Sequence, residues 1–323
     1  MTRTNLYHPQ GMIDLGGGCH AQIELPGTWG MSNSGVIECD GEILIVDTRN
    51  DVPRASRLKM DALALAEDSR ITSVVNTHAD GDHWFGNVVF ADARIIATKA
   101  AAQGMREIEM DPRHLAEMGK PGSAFRRWTR WRSEFYDYEG WRPVYPTETF
   151  EGRMDISVGG MDVEVIQVGP AHTLGDAIVH VPEAGVVYAG DIVFNGATPM
   201  VWSGPVSRFV AALELILGLD SEIIVSGHGP IASPPDVRQA RDYLSYVLQH
   251  TMNCFEAGAS LEETYRRFDS PAAYRHWAHF SRVYQTISVI YYELDPVQPK
   301  KSRRESLDRM LADDGWKSKE NIL

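Results

Sequence analysis

Apolar and β-branched runs alternate with helical patterns through the first hundred residues of the chain. Residues 36–39 and 42–47 flank an Asp-Gly pair, which predicts a β-hairpin with a tight turn. Apolar residues at helical spacing predict a helix over 52–67, and β-branched runs predict strands at 71–76 and 94–97. Helices between strands are typical of a layered α/β fold.

Residues 101–145 depart from this alternation of strands and helices, and they contain a dense group of aromatic residues with interleaved arginines. The aromatic residues are Phe125, Trp128, Trp131, Phe135, Tyr136, Tyr138, Trp141 and Tyr145. One interpretation is an amphipathic helical insertion that packs on the main body. The other is a lid over an active site that supplies apolar and cationic contacts to a substrate. The two interpretations are compatible.

The strand pattern returns after the insertion and gives way to helices towards the C-terminus. Strands are predicted at 164–168, 186–189 and 222–226, and helical structure at 206–219 and from 236 almost to 294, with a break at Pro271. We expect a main domain over 1–250, followed by a helical extension over 251–323 packed on it. The charged tail from Pro296 is interpreted as a solvated helix or a loose arm, with an oligomer contact as the alternative.

The composition is that of a globular protein with an acidic balance. Of 323 residues, 43% are hydrophobic, and the net charge of −13 argues against a nucleic-acid partner. The three cysteines are dispersed, which favours reduced thiols in a cytosolic protein. The N-terminus has no apolar signal segment, and no run approaches the ~18 apolar residues of a membrane helix. We expect a cytoplasmic protein that acts on a small molecule, with no membrane partner, as a monomer or a homo-oligomer.

Four side chains of metal-ligand type fall within six residues, directly after the predicted strand at 71–76. They are His78, Asp80, Asp82 and His83. Burying carboxylates and imidazoles together is costly unless a cation or a hydrogen-bond network holds them. The loop over 77–84 is therefore predicted to form half of a metal site.

Three later strands are each followed by glycine and a residue of the same type. The motifs are Gly-Pro-Ala-His ending at His172, Gly-Asp ending at Asp191, and Gly-His ending at His228. Glycine permits a sharp turn, and strand ends at one edge of a sheet can converge. The sequence predicts that these three residues complete the site.

Imidazoles and carboxylates together suit Zn²⁺, and mixed sets of this kind also admit Mn²⁺ or Fe. A bound ion lowers the pKa of its water towards ~7, which gives a hydroxide nucleophile at neutral pH. One bridging aspartate would set two ions about 3.5–4 Å apart. The donors predict a site for one or two ions.

With these motifs in this order, the chain resembles the metallo-β-lactamase superfamily over roughly residues 13–250. The resemblance implies an αββα four-layer sandwich with metals at one edge of its two sheets, extended here by the insertion and the C-terminal helices. It further implies a first metal site with His78 and His172, a second with Asp82, His83 and His228, and a bridging Asp191.

Asp80 stands where the family has its usual second histidine. An anionic oxygen ligand there would bias the first site towards Mn²⁺ or Fe and away from Zn²⁺. Alternatively, the first site is weak or empty, which leaves one ion on Asp82, His83, Asp191 and His228. We expect the single-ion alternative, with Asp80 or Asp82 free to orient the attacking water as a general base.

Other polar and aromatic residues receive supporting roles. The resemblance implies that Asp47 supports the ligand loop by hydrogen bonding. Trp84 is interpreted as wall or core, and Asn195 and Trp202 as substrate-facing residues or ordinary loop packing. His276 and His279 are predicted at i, i+3 on a helix, where they would form an accessory metal pair or ordinary histidines.

The leading hypothesis is a metal-dependent hydrolase for an ester, thioester, lactone or activated haloaromatic substrate. The aromatic insertion favours an apolar or aromatic substrate. One alternative is a di-iron or di-manganese redox enzyme on the same fold. Another is a non-catalytic ligand-binding protein.

Overall fold

Two β-sheets stack face to face in the computed structural model, which describes residues 11–108, 111–297 and 301–315. The larger sheet contains, in spatial order, β1 (Ile13–Gly16), β2 (Cys19–Gln22), β3 (Ser34–Cys39), β4 (Glu42–Val46), β5 (Arg70–Val75), β6 (Arg94–Thr98) and β7 (Glu148–Phe150). The smaller sheet contains β8 (Arg153–Val158), β9 (Met161–Gln167), β10 (Ala177–Val181), β11 (Val186–Phe194) and β12 (Ile223–His228).

Helices connect and cover these strands. They are α1 (Val52–Leu63), α2 (Gly81–Trp84), α3 (Lys99–Arg106), α4 (Ala124–Phe135), α5 (Val206–Leu217), α6 (Pro234–Glu256), α7 (Leu261–Arg267), α8 (Val283–Leu294) and α9 (Arg303–Asp313). Within the described ranges, none of these helices combines the length and apolar character that crossing a bilayer requires.

The predicted hairpin is confirmed as β3 and β4, which pair antiparallel. Its turn residues, Asp40 and Gly41, have φ values of 45° and 76°, as a two-residue hairpin turn requires. From β4 to β7 the strands run parallel, as do β11 and β12. Parallel strands place their carboxyl ends at one edge of a sheet, where a site can assemble.

The layers confirm the αββα sandwich. Between the sheets lies an apolar core that includes Val75 of the larger sheet and Val165 of the smaller one. The outer face of the larger sheet packs on α1 through Leu58. The outer face of the smaller sheet packs on α5, α6 and α8, which contribute Phe209, Leu244 and Ile287, among others.

The insertion over 101–145 contains the end of α3, a 3₁₀ turn at Pro112–Glu117, α4 and a coil. Residues 109–110 within it lie outside the described residues. Trp128, Trp131, Tyr136 and Trp141 are buried in one cluster with Trp84 and Phe194 of the main body. The insertion is therefore a packed part of the domain.

The C-terminal region differs from its prediction between α7 and α8. Pro271 and a left-handed His279 (φ 58°) interrupt the helical pattern, so short 3₁₀ turns replace the expected helix. The prediction that His276 and His279 share a helix face is wrong. The expected domain boundary at 250 falls inside α6, which continues to Glu256, and the division into domains stays a prediction.

The described part of the charged tail, 301–315, is not a solvated arm. Leu307, Met310 and Leu311 of α9 are buried in the aromatic cluster with α4. Asp308 accepts a hydrogen bond from the Phe125 amide at 2.8 Å. Residues 298–300 and 316–323 of the tail lie outside the described residues.

Candidate metal centre

The ligand loop leaves the larger sheet after β5 and ends in the single turn of α2. Asp47, which follows β4, anchors it by accepting hydrogen bonds from the Thr77 amide (2.8 Å) and the Thr77 hydroxyl (2.7 Å). The Trp84 indole donates to the Ala79 carbonyl at 3.0 Å. Buried contacts therefore fix the loop before and after His78, the first of its ligand-type residues.

The smaller sheet supplies the other predicted residues. His172 follows β9 in a turn where Asp176 accepts from the amides of Ala171 (3.1 Å) and Thr173 (2.9 Å). Asp191 lies within β11 rather than after a strand, because β11 extends to Phe194. His228 is the last residue of β12.

Two motif glycines allow these residues to approach the ligand loop. Gly190 has a φ of +50°, and a Cβ there would lie 2.7 Å from Thr77 Oγ1. A Cβ on Gly227 would lie 2.1 Å from Asp191 Oδ1. Both positions are too close for any side chain, so glycine is required by the convergence of the strands.

All of the predicted ligand residues converge at this edge. A first group contains His78, Asp80 and His172, and a second group contains Asp82, His83 and His228, each with donor atoms within 4.8 Å of one another. Asp191 faces both groups. Its Oδ2 lies 3.4 Å from His172 Nε2, and its Oδ1 lies 3.2 Å from His83 Nε2 and 3.4 Å from His228 Nε2.

Each of the four histidines has its Nδ1 held by the protein. The partners are Thr77 Oγ1 for His78 (2.9 Å), Asp47 Oδ2 for His83 (2.8 Å), the Met200 carbonyl for His172 (2.7 Å) and the Met31 carbonyl for His228 (3.0 Å). Metal-binding histidines have such a partner on the second ring nitrogen, which orients the first one towards the ion.

Three buried atoms of the centre have no hydrogen-bond partner among the described residues. They are His78 Nε2, His83 Nε2 and Asp191 Oδ1. An unpaired buried polar atom costs about 1–3 kcal/mol. A cation at the second group would satisfy His83 Nε2 and Asp191 Oδ1, and a nitrogen and oxygen donor set suits divalent metals. The residues therefore fit a divalent metal ion.

The surroundings favour the protonated form of His83 and His228 in the second group and disfavour it at His78. Burial lowers the pKa of His228 and His83, but the nearby carboxylates outweigh burial. The pKa of His228 is raised to about 9, and that of His83 is raised well above its usual range. At His78 burial and the neighbouring His83 prevail, and they lower its pKa to about 3.

Asp80 has a partner from outside the sandwich. Arg303 of α9 donates to its Oδ1 at 2.9 Å, and Trp202 Nε1 donates to its Oδ2 at 3.1 Å. Burial would raise the pKa of Asp80, yet the Arg303 charge and a hydrogen bond with His172 hold that pKa well below its usual range. Asp80 is therefore a charged side chain with a partner on each of its carboxylate oxygens.

A cavity of 490 Å³ opens onto the centre. Its walls are largely aromatic and apolar, and they include Trp29, Phe125, Trp128, Phe194, Met200 and Trp202. Arg132, Arg282, Arg303 and Arg304 also line it. Phe125 and Trp128 belong to α4, so the insertion packs on the body and lines the cavity as well.

Two predicted residues do not line the cavity in the described structure. The Asn195 side chain donates to the Ile231 carbonyl at 3.1 Å, which favours loop packing over the substrate-facing hypothesis. Trp84 is 1% exposed and packs on Phe85 and Tyr145. By contrast, Trp202 lies in the wall and contacts Asp80.

Arg303 and Arg282 were not predicted from the sequence as site residues. A signal for Arg303 existed, because Ser302 and Glu305 form a capping box at the start of α9. Apolar residues at 307, 310 and 311 complete an amphipathic helix pattern. Arg282 follows an irregular segment, and no local pattern indicates its position.

Known proteins match the chain at the level of family and fold. A family model of the metallo-beta-lactamase superfamily matches residues 27–228. The chain is 24% identical over 162 residues to the 2,4-dinitroanisole O-demethylase subunit alpha of Nocardioides sp. (strain JS1661), covering 46% of this chain and 48% of that protein. The match thus spans about half the length of this relative.

Two solved structures share the fold at low identity. A stereoselective inverting sec-alkylsulfatase from Pseudomonas sp. superposes with a TM-score of 0.66 at 14% identity, covering 89% of this chain and 50% of that one. A metallo-beta-lactamase from Pontibacter korlensis superposes with a TM-score of 0.55 at 13% identity, covering 72% of this chain and 98% of that one. The family model shows that the chain belongs to the metallo-β-lactamase superfamily, and the two solved structures share its fold.

Proposed function

We propose that the protein catalyses metal-dependent hydrolytic displacement on an apolar, electron-poor aromatic substrate. The observation that carries this proposal is the aromatic cavity that opens directly onto the donor groups. Trp29 and Trp128 meet edge to face with ring centroids 5.9 Å apart, and Trp202 lies on the wall beside Asp80. Such walls favour a flat ring through stacking and edge contacts.

The arginines of the cavity support an electron-poor ring. Attack of water on a ring carbon places negative charge on the ring and its electron-withdrawing substituents until the leaving group departs. Arg282 is 2% exposed, and its guanidinium carbon lies 4.5 Å from the Trp29 ring centroid. Burial lowers the pKa of Arg282 only to about 10, so it stays cationic at neutral pH. A buried cation next to the reacting ring stabilises this charge.

Residues of the chain would hold the metal ion and accept the proton of the attacking water. Asp82, His83, His228 and Asp191 would hold a divalent ion, zinc in the first instance, with manganese or iron as alternatives. When bound, that ion supplies Lewis acidity and lowers the pKa of water towards ~7.

Asp80 would take the proton of the attacking water. A carboxylate has about four acceptor positions, and Arg303, Trp202 and His172 occupy three of those on Asp80. As water oxygen bonds to the ring carbon, its proton passes to the remaining position. The leaving group departs with the bonding electron pair.

The curated relative supports this substrate class. Its name gives 2,4-dinitroanisole, an aryl ether whose two nitro groups withdraw electrons from the ring. An activated haloaromatic ring shares this electronic character. The same cavity would also admit aryl esters, thioesters or lactones, which the sequence predicted alongside it.

A substrate panel tests the proposal. Metal-free protein is reconstituted with zinc and assayed against a nitro-activated haloarene, dinitroanisole, an aryl ester, a thioester and a lactone. We expect the electron-poor rings to give the highest kcat/KM, and chelation to abolish turnover until zinc is restored. Arg282→Lys keeps the charge and should retain more activity on these rings than Arg282→Gln.

Other outcomes would redirect the proposal. Turnover of the thioester or lactone alone would overturn the substrate class and leave the metallo-hydrolase intact. Tightly bound iron with O₂ consumption would favour the redox alternative. Ligand binding without turnover, unchanged in His83→Ala, would favour a binding protein.

A further inference from the structure

The position of Arg303 is fixed by the packing of α9. Ser302 and Glu305 cap the helix, because the Glu305 carboxylate accepts from the Ser302 amide at 2.9 Å. One turn later, Leu307 is buried in the aromatic cluster, and Asp308 accepts from the Phe125 amide. Arg303 therefore projects from a helix that is anchored at its first two turns.

Arg303 and Trp202 hold Asp80 from two directions. The guanidinium carbon of Arg303 lies 4.4 Å from the Trp202 ring centroid, while its Nη2 contacts Asp80 Oδ1 at 2.9 Å. Trp202 Nε1 and His172 Nε2 both contact Asp80 Oδ2, at 3.1 and 3.2 Å. Each carboxylate oxygen of Asp80 thus has a partner other than a metal.

We propose that Arg303 withholds Asp80 from metal coordination, so that the centre binds one divalent ion at the second group and Asp191. This inference rests on the metal site of the proposed function. Arg303 is a positioning residue here, because it acts through Asp80. Its role also explains how the family's second histidine is replaced by a carboxylate without adding net charge to the first group.

The contacts that Asp80 makes with Arg303 and His172 also weaken the first group as a metal site. His172 Nε2 is directed to Asp80 at 3.2 Å, and among the described residues His78 Nε2 is the atom of the first group that has no hydrogen-bond partner. Asp47 contacts the second group from behind, at His83 Nδ1, and the carboxylates that face the Nε2 atoms of this group are Asp82 and Asp191. One divalent ion balances their combined charge, whereas a second ion would add positive charge next to Arg303.

Arg303 lies outside the part of the chain that the family model matches. The family model ends at residue 228, and Arg303 reaches Asp80 across a separation of 223 residues. The metal content of this protein therefore depends on the C-terminal helix as well as on the motif residues.

Zinc binding measured by calorimetry and by elemental analysis tests the inference in the full chain. We expect about one ion per chain in the wild type and a rise towards two in Arg303→Gln, because Asp80 and His172 are released. Arg303→Lys keeps the charge and should stay near one. Arg304→Gln is the matched control, since Arg304 is the next residue and lies over the Phe125 ring at 5.6 Å.

A second variant keeps the test decisive if Arg303→Gln is unstable. In Asp80→Asn the zinc affinity of the second group should stay within about threefold of the wild type, because we propose that Asp80 is not a ligand. The loss of affinity expected when a ligand's support is removed is about tenfold or more, and a loss of that size would overturn the inference. Two ions in the wild type, or one ion in a folded Arg303→Gln, would also overturn it. A wild type that binds no ion would instead overturn the metal site of the proposed function.

Discussion

The two donor groups of the centre lie at the same sheet edge and share Asp191, yet they differ in how their carboxylates are held. In the second group, Asp82 Oδ2 lies 3.3 Å from His228 Nε2. In the first group, Asp80 is paired with Arg303 and with Trp202. The strands and motif residues make the two groups alike. A helix from the far end of the chain makes them different.

If the proposed role of Arg303 is correct, a ligand motif indicates where a metal can bind but does not determine how many ions are bound. Arg303 is half-exposed, so its pair with Asp80 contributes little to the stability of the fold. The effect that we propose for Arg303 is on the availability of Asp80 for metal binding.

The largest effect is expected from removing one histidine from each group. His228→Ala should lose the ion and bring activity to the background level, because we propose that His228 is a ligand of the single bound ion. His78→Ala should keep about one ion per chain. Zinc content and kcat/KM of the two purified variants check this, and equal loss of zinc in both would contradict the single-ion account.

Gly227→Ala should be the next most damaging change. The new Cβ would lie 2.1 Å from Asp191 Oδ1, so the carboxylate between the groups must move by about an ångström. Misplacement on that scale costs about 10²-fold in rate. Gly218→Ala, whose Cβ meets only the Leu215 and Glu214 carbonyls at 3.4 Å and beyond, is the control. Wild-type kcat/KM in Gly227→Ala would show that Asp191 does not need this position.

Asp47→Asn should lower zinc affinity by about 10- to 100-fold. Asp47 accepts from both Thr77 and His83, and an amide orients His83 less well than a carboxylate. Competition with a coloured chelator measures the affinity. Asp155→Asn removes a surface pair with Arg153 and should leave it unchanged.

The smallest expected loss of zinc affinity at the second group comes from Asp80→His, which restores the family's usual residue. The imidazole would join His78 and His172 and raise zinc content towards two per chain. Arg303, which is half-exposed, would turn to solvent. Elemental analysis checks the count. A variant that still holds one ion would show that the first group lacks more than a histidine.

Local patterns in the sequence predicted a layered α/β fold and the convergence of the donor residues, and the family resemblance implied the αββα sandwich. An Asp-Gly turn and apolar runs determine β3 and β4, and strand–glycine motifs bring His172, Asp191 and His228 to one edge. Contacts across long separations leave no such pattern. Arg303 reaches Asp80 from 223 residues away, and its helix was interpreted as a solvated tail.

The helix predicted across His279 was wrong for a different reason. Its apolar spacing was compatible with a helix, but a left-handed residue at 279 and the proline at 271 end regular structure there. Asp191 was expected after a strand, whereas its strand continues to Phe194. Backbone conformation at single residues decided both cases.

Anomalous diffraction at the zinc edge, from crystals of the wild-type protein grown with zinc, would show directly whether the centre binds one ion or two. We expect one strong peak per chain, bounded by Asp82, His83, His228 and Asp191, with Asp80 still paired to Arg303. Two peaks of comparable strength, one of them coordinated by Asp80, would contradict it.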